Sequence, residues 1–189
     1  MRGMLSFALL GLAIACPVAA VERETLLPKN VVHGFFGGPE ARISSINGGA
    51  NLLLGAKGAW LIDHTYYVGG AGFHTMRDIK DTDLRLGYGG LVLGVFREPS
   101  KQIHSYIELL VGAGALGEPD NPHHSGAVHK RDSVFVVEPA VGVTVNLGQF
   151  VTLNSGLSYR MIEGSDIAEV SDSGFSGLSL HVNAMFGRF

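Results

Sequence analysis

From residue 34 onward, apolar side chains alternate with small or polar ones, and no stretch carries the roughly 3.6-residue stripe of an amphipathic helix. The alternation predicts eight strands, at 34–46, 50–62, 65–76, 84–96, 103–116, 133–146, 150–162 and 175–189. Each is long enough to cross a bilayer as a tilted strand of about 9–11 residues. The seventh segment reads most cleanly. Val151, Leu153, Leu157, Tyr159 and Met161 share one face, while Thr152, Asn154, Gly156, Ser158 and Arg160 share the other. The sixth groups Phe135, Val137, Val141, Val143 and Val145 against Glu138, Gly142, Thr144 and Asn146. In the fifth, Ile103, Ile107, Leu109 and Val111 oppose His104, Tyr106, Glu108 and Gly112. In the second, Leu52, Leu54, Trp60 and Ile62 oppose Asn51, Gly55, Lys57 and Asp63. Segments 65–76 and 84–96 alternate poorly, which leaves their register open.

The connections are sorted by length. D-H after the second strand, R-E-P-S-K-Q after the fourth and L-G-Q after the sixth are short. The links after the third, fifth and seventh strands are longer and polar; N-G-G after the first is a short exception on that side. A meander with short turns at one end and long loops at the other is the pattern of a bacterial outer-membrane barrel.

Which face points outward follows from what occupies the polar face. A soluble barrel would turn that face to water, where Lys and Glu should dominate; here it is mostly Gly, Ser, Thr and Asn. A membrane barrel turns the apolar face to lipid and fills a narrow lumen with the small residues. The predicted class is therefore all-β, an eight-stranded antiparallel up-and-down transmembrane β-barrel with a filled lumen. Lys57, Arg85, Glu108, Glu138 and Arg160, together with Arg42, are expected to point inward as a lumenal ion network, with Glu138 within reach of Arg160. Buried charge is tolerated only when paired, so the network is expected to plug the barrel. Trp60, Tyr66, Tyr67, Phe73, Tyr88, Phe96 and Tyr159 lie toward strand ends, where an aromatic girdle would sit.

Composition agrees. Charged residues are 16% of the 189, Gly accounts for 27, and mean hydropathy is +0.25, yet no apolar run past residue 20 is long enough for a spanning helix. Residues 1–20 predict a secretory signal peptide: Arg2 gives a positive start, Met4–Ile14 an apolar run, and P-V-A-A a small-residue site for cutting after Ala20. Cys16, the chain's single Cys, offers a rival lipoprotein site. Cutting after Ala20 discards it and leaves a leader at 21–33 and a barrel domain at 34–189, free of disulfides and of Cys-based metal or redox sites. Loss of Arg2 leaves 13 basic and 17 acidic side chains, a net charge of −4 with no basic run, which argues against nucleic acid as a partner.

With these features the chain resembles the small eight-stranded outer-membrane barrels of Gram-negative bacteria, the OmpA and OmpX type. V-V-E-P, L-G-Y-G-G-L and S-D-S-G-F-S-G also resemble stretches of exported bacterial proteins, a resemblance that carries no activity with it. The resemblance implies outer-membrane lipid and lipopolysaccharide as surroundings. It also implies that Phe189, a terminal aromatic on the last strand, is a recognition residue for the barrel-assembly machinery. The group's usual aromatic two residues earlier is Gly187 here, and Leu178, Leu180, Val182, Ala184 and Phe186 are out of step with Phe189; a bulge at Gly187 would restore the phase.

Chemistry is sparse. His123, His124 and His129, with Asp120 and Asp132, are weak transition-metal candidates in the loop between the fifth and sixth strands, without the fixed spacing of a metal site. Asp166, Glu169 and Asp172 could hold a hard cation but lack an EF-hand pattern. His123 and Ser125 are two apart, as in one group of lipid A-modifying barrels, but sit mid-loop without a third partner. The expectation is no catalysis, no cofactor, and a structural, adhesion or interaction role through the long loops. The alternatives are a soluble periplasmic lipocalin-like barrel binding an apolar ligand and, further off, a lipid A-modifying enzyme.

Overall fold

The computed structural model describes residues 31–80, 82, 84–117, 131–164 and 172–189. The expected signal peptide, and most of the expected leader, lie outside them. Eight strands form: β1 (His33–Ile46), β2 (Gly49–Ile62), β3 (Tyr66–Thr75), β4 (Arg85–Arg97), β5 (Ile103–Gly117), β6 (Arg131–Asn146), β7 (Val151–Glu163) and β8 (Gly177–Arg188). One helical turn, α1 (Asp172–Phe175), precedes β8 in place of the strand start expected at 175. Every neighbour pairs antiparallel, and β8 closes on β1 with Ile43 opposite Leu180. Closure leaves no unpaired strand edge, the condition for placing a sheet in lipid.

Turn chemistry fixes the short links. Asn47 and Gly48 both hold positive φ, 48° and 68°, which gives the Asn-Gly pair the backbone twist that a two-residue hairpin needs. Gly148 and Leu147 donate backbone N–H bonds to the Val151 carbonyl and fold the link between β6 and β7. In the β4–β5 turn Lys101 hydrogen-bonds Glu98 and holds that exposed carboxyl below its ordinary range. The turns at 63–65, 98–102 and 147–150 share one end of the barrel with His33 and Arg188; the longer links gather at the other. Pro39 and Pro139 lack an N–H, and the β1–β8 and β6–β7 ladders each skip a step there. Asn183 Nδ2 donates to the Pro39 carbonyl at 3.1 Å and ties the two strands across the gap.

Sidedness decides the environment. Leu109, Val143 and Leu153 are 38%, 45% and 38% exposed, while Glu138 and Arg160 are 2% and 0% exposed. Ile43, Leu91, Ile107, Leu157 and Leu180 likewise face outward on strands all around the cylinder. A belt of this kind in water would be an aggregation hazard; against hydrocarbon it costs nothing.

The interior is less glycine-filled than the sequence suggested. β3 and β4, whose register the pattern left open, turn Tyr67, Phe73, Tyr88, Val92 and Phe96 inward. The expected girdle therefore splits: Trp60, Tyr66 and Tyr159 are exposed, whereas Tyr67, Phe73, Tyr88 and Phe96 are lumenal. Inward glycines make room for these rings. A Cβ at Gly94 would sit 2.0 Å from Tyr67 Cζ, and one at Gly55 2.4 Å from Phe73 Cδ1. Each of these glycines is thus paired with a ring on the neighbouring strand, the interlocking of large and small that close packing requires.

Candidate functional site

The middle of the lumen is ionic because period-two geometry turns charged residues of β1, β2, β5, β6 and β7 toward the axis. Arg42 on β1 is central. Its Nε donates to Glu40 Oε1 at 2.7 Å, and its Nη1 donates to Glu138 Oε1 and, at 3.2 Å, to the Tyr88 hydroxyl. The guanidinium lies 3.6 Å from the centroid of the Phe73 ring, which presents a π face to the cation. Glu138 also accepts from Tyr88 Oη at 2.7 Å and from Ser158 Oγ. Lys57 on β2 donates to both Glu108 oxygens, at 3.1 and 2.8 Å, and lies 3.5 Å from Glu40 Oε2. Tyr67 adds a 2.7 Å hydrogen bond to Glu108 Oε2.

Arg160 stands apart. Its Nε and Nη2 both hold the Phe175 carbonyl, at 3.1 and 3.0 Å, and its guanidinium lies 5.5 Å from the Tyr88 ring centroid. It therefore clamps α1 onto the barrel mouth. Glu138, its expected partner, is taken by Arg42, because the stagger of the strands brings β1 and β6 side chains together across the lumen. Among the described residues, and counting Arg160, three cations and three carboxylates share the interior, so their charge balances and each ion has a partner or a π face.

Lys57, Glu108, Glu138 and Arg160 are thus gathered in the lumen; Arg85 is not. Arg85 is exposed at the loop end and pairs with Asp78 at 2.8 Å. It is odd-numbered on a strand whose even positions face inward, and the poor alternation of β4 concealed that parity. Glu40, Tyr67 and Tyr88 went unread. Glu40 was legible in principle, since it lies two residues from Arg42 on the same face; the tyrosines depended on registers that the sequence did not set.

Phe189 lies at the opposite mouth. The β1–β8 register keeps one frame from Ser44↔Ser179 to Phe35↔Arg188, so no extra residue is inserted at Gly187. Phe186 consequently faces outward, while the Phe189 ring stacks on inward-facing Phe36, centroids 5.7 Å apart at 14°. His123, His124, His129, Asp120, Ser125, Asp166 and Glu169 lie outside the described residues, as does the side chain of Asp172. Among the described residues no group of three or more His, Cys, Asp or Glu is placed to hold a metal.

A closed cylinder of eight antiparallel strands with an apolar exterior and an ionic interior is a small transmembrane β-barrel of the OmpA/OmpX architecture, an outer-membrane type. Solved structures carry the same fold. Neisserial surface protein A is 12% identical, covering 85% of this chain and 99% of its own, with a TM-score of 0.59. The N-terminal β-barrel domain of Pseudomonas aeruginosa OprF is 7% identical over 82% of this chain and 96% of its own, at 0.57. Ail, the attachment invasion locus protein of Yersinia pestis, is 13% identical over 83% and 97%, at 0.52. No family model matches the chain, and no curated protein matches it by sequence.

Proposed function

We propose that this chain is a plugged outer-membrane barrel that presents its long loops at one end, in a structural, adhesion or interaction role and without catalysis. The observation that carries the reading is the balanced ion cluster in mid-lumen, beneath a loop end that receives every long link. Such a cluster leaves no water-lined route through the barrel, and the segments at 76–84, 118–130 and 164–176 supply the surface for a partner. Ail, an attachment invasion locus protein of this fold, has been solved with the heparin analogue sucrose octasulfate, which supports attachment as the role to test. Around the belt, outer-membrane lipid and lipopolysaccharide are the expected contacts. Phe189 is proposed as a mark for the barrel-assembly machinery.

The soluble lipocalin-like alternative needs Leu109, Val143 and Leu153 inside; their outward orientation gives it no support. The test is threefold. Carbonate extraction should leave the protein in the outer-membrane pellet with heat-modifiable gel migration. Planar bilayers should record no steady conductance. Deleting 118–130 should abolish binding of expressing cells to host-type surfaces while the barrel still inserts. Release by carbonate, or undiminished attachment after the deletion, would sink the reading.

A further inference from the structure

The two ends of the lumen are filled differently, and the turn end holds a cavity that the loop-based reading does not use. It has a volume of about 610 Å³ and lies inside the ring formed by the 63–65, 98–102 and 147–150 turns. That volume is within the roughly 300–1,000 Å³ of small-molecule sites. Leu61, Phe96 and Phe189 form an apolar side; Thr144 and Thr152, on β6 and β7, form a polar one. Both threonines are 1% exposed, and neither hydroxyl has a hydrogen-bond partner in the protein. Deeper on the same wall, Asn154 and Asn183 sit opposite one another, and the side-chain oxygen of each is also without a partner.

Unpaired buried oxygens are expensive, on the order of 1–3 kcal/mol each, and two of the four belong to threonines that line this cavity, so a ligand carrying donors is favoured there. The amide nitrogens of these asparagines are already spent, on Met185 Sδ and on the Pro39 carbonyl. The two Asn oxygens accept only, and a threonine hydroxyl accepts as readily as it donates. The aromatic side opposite favours a flat ring. Among the described residues no Lys or Arg lines the cavity, Asp63 is its one acidic side chain, and His64 and His104 are its only basic ones, so no fixed cation there recognises a phosphate or carboxylate. At the far end, Ile46, Leu53, Leu86, Leu116, Ile162 and Phe175 close the lumen with buried apolar side chains, and the ion cluster lies between. Entry is therefore from the turn end alone.

We infer that the turn-end cavity is a binding site for a small neutral aromatic molecule bearing an N–H or O–H donor, taken up from the periplasmic side. The ring lies against Phe96 and Phe189, and its donor edge meets Thr144 and Thr152, with a turn about χ1 bringing each threonine oxygen to the cavity. This site is separate from the loop surface and does not depend on it.

The test uses the full barrel in lipid nanodiscs, with indole as the probe and indene, the same frame without the N–H, as the control. Nuclear Overhauser contacts from indole to the Phe96 and Phe189 rings should saturate with concentration, and indene should bind about fivefold more weakly, one neutral hydrogen bond's worth. Thr152→Val should weaken indole by a similar factor and leave indene unchanged. Ser100→Trp, in an exposed turn at the cavity rim, should block both probes while heat-modifiable migration persists. Non-saturating contacts equal for the two probes, or full indole binding in Ser100→Trp, would mean partition into lipid and overturn the site.

Discussion

The loop end and the turn end of this barrel are built from the same eight strands yet are closed to different degrees. At the loop end, Ile79 and Phe175 enter from the connections and pack with buried strand side chains, and Arg160 pins the Phe175 carbonyl. At the turn end the links are too short to fold inward, and aromatic rings from β1, β3 and β4 meet edge-on or tilted around an open mouth. The difference teaches that strand alternation gives a barrel its wall, while the connections decide which end is sealed. Between the ends, the ion cluster separates an apolar seal from an amphipathic cavity.

Breaking the divider should have the largest effect. Glu138→Ala strips Arg42, Tyr88 and Ser158 of a shared acceptor and leaves a buried guanidinium short of charge, a loss of about 3–5 kcal/mol. Urea-induced unfolding from lipid vesicles measures it, and pairing the change with Arg42→Met should recover part of the loss. Phe175→Ala removes a fully buried ring from the loop-end seal, at a cost of about 3 kcal/mol, whereas Phe189→Ala at the open mouth should cost less than half of that. Equal losses in the same assay would erase the contrast between the ends.

The wall itself is tested by Leu157→Arg, which puts a charge on the lipid face at the middle of β7 and should cost about 2–4 kcal/mol, against little change for a polar substitution at exposed Ser100. Gly94→Ala should cost about 1–3 kcal/mol by driving a methyl into the Tyr67 ring, with partial rescue by Tyr67→Ala. The smallest effect is at the turn end. Lys101 lowers the Glu98 carboxyl, so the stabilisation is present above the unfolded pKa and fades as pH falls through the folded one. The pair is fully solvated, and Lys101→Gln should leave the acid limb of the unfolding curve indistinguishable from that of the parent.

Legibility followed the clarity of alternation. β5, β6 and β7 separate a large apolar face from a small polar one, and Glu108, Glu138 and Arg160 stand buried on the polar side. β3 and β4 carry glycine on both faces, so neither parity stood out, and Arg85 was placed inside while Tyr67 and Tyr88 were not. The ionic residues could be named from the sequence; their partners could not.

Sequence alone determined the number of strands, the grouping of long links at one end and the outward direction of the greasy face. Those features depend on near neighbours: side chains alternate along an extended chain whatever lies across from it. Only the tertiary structure decided that Arg42 takes Glu138, that Arg160 holds a loop carbonyl, and that Phe189 turns into the turn-end mouth. Such choices depend on the stagger accumulated around a closed cylinder, a property of all strands together and of no single stretch of chain.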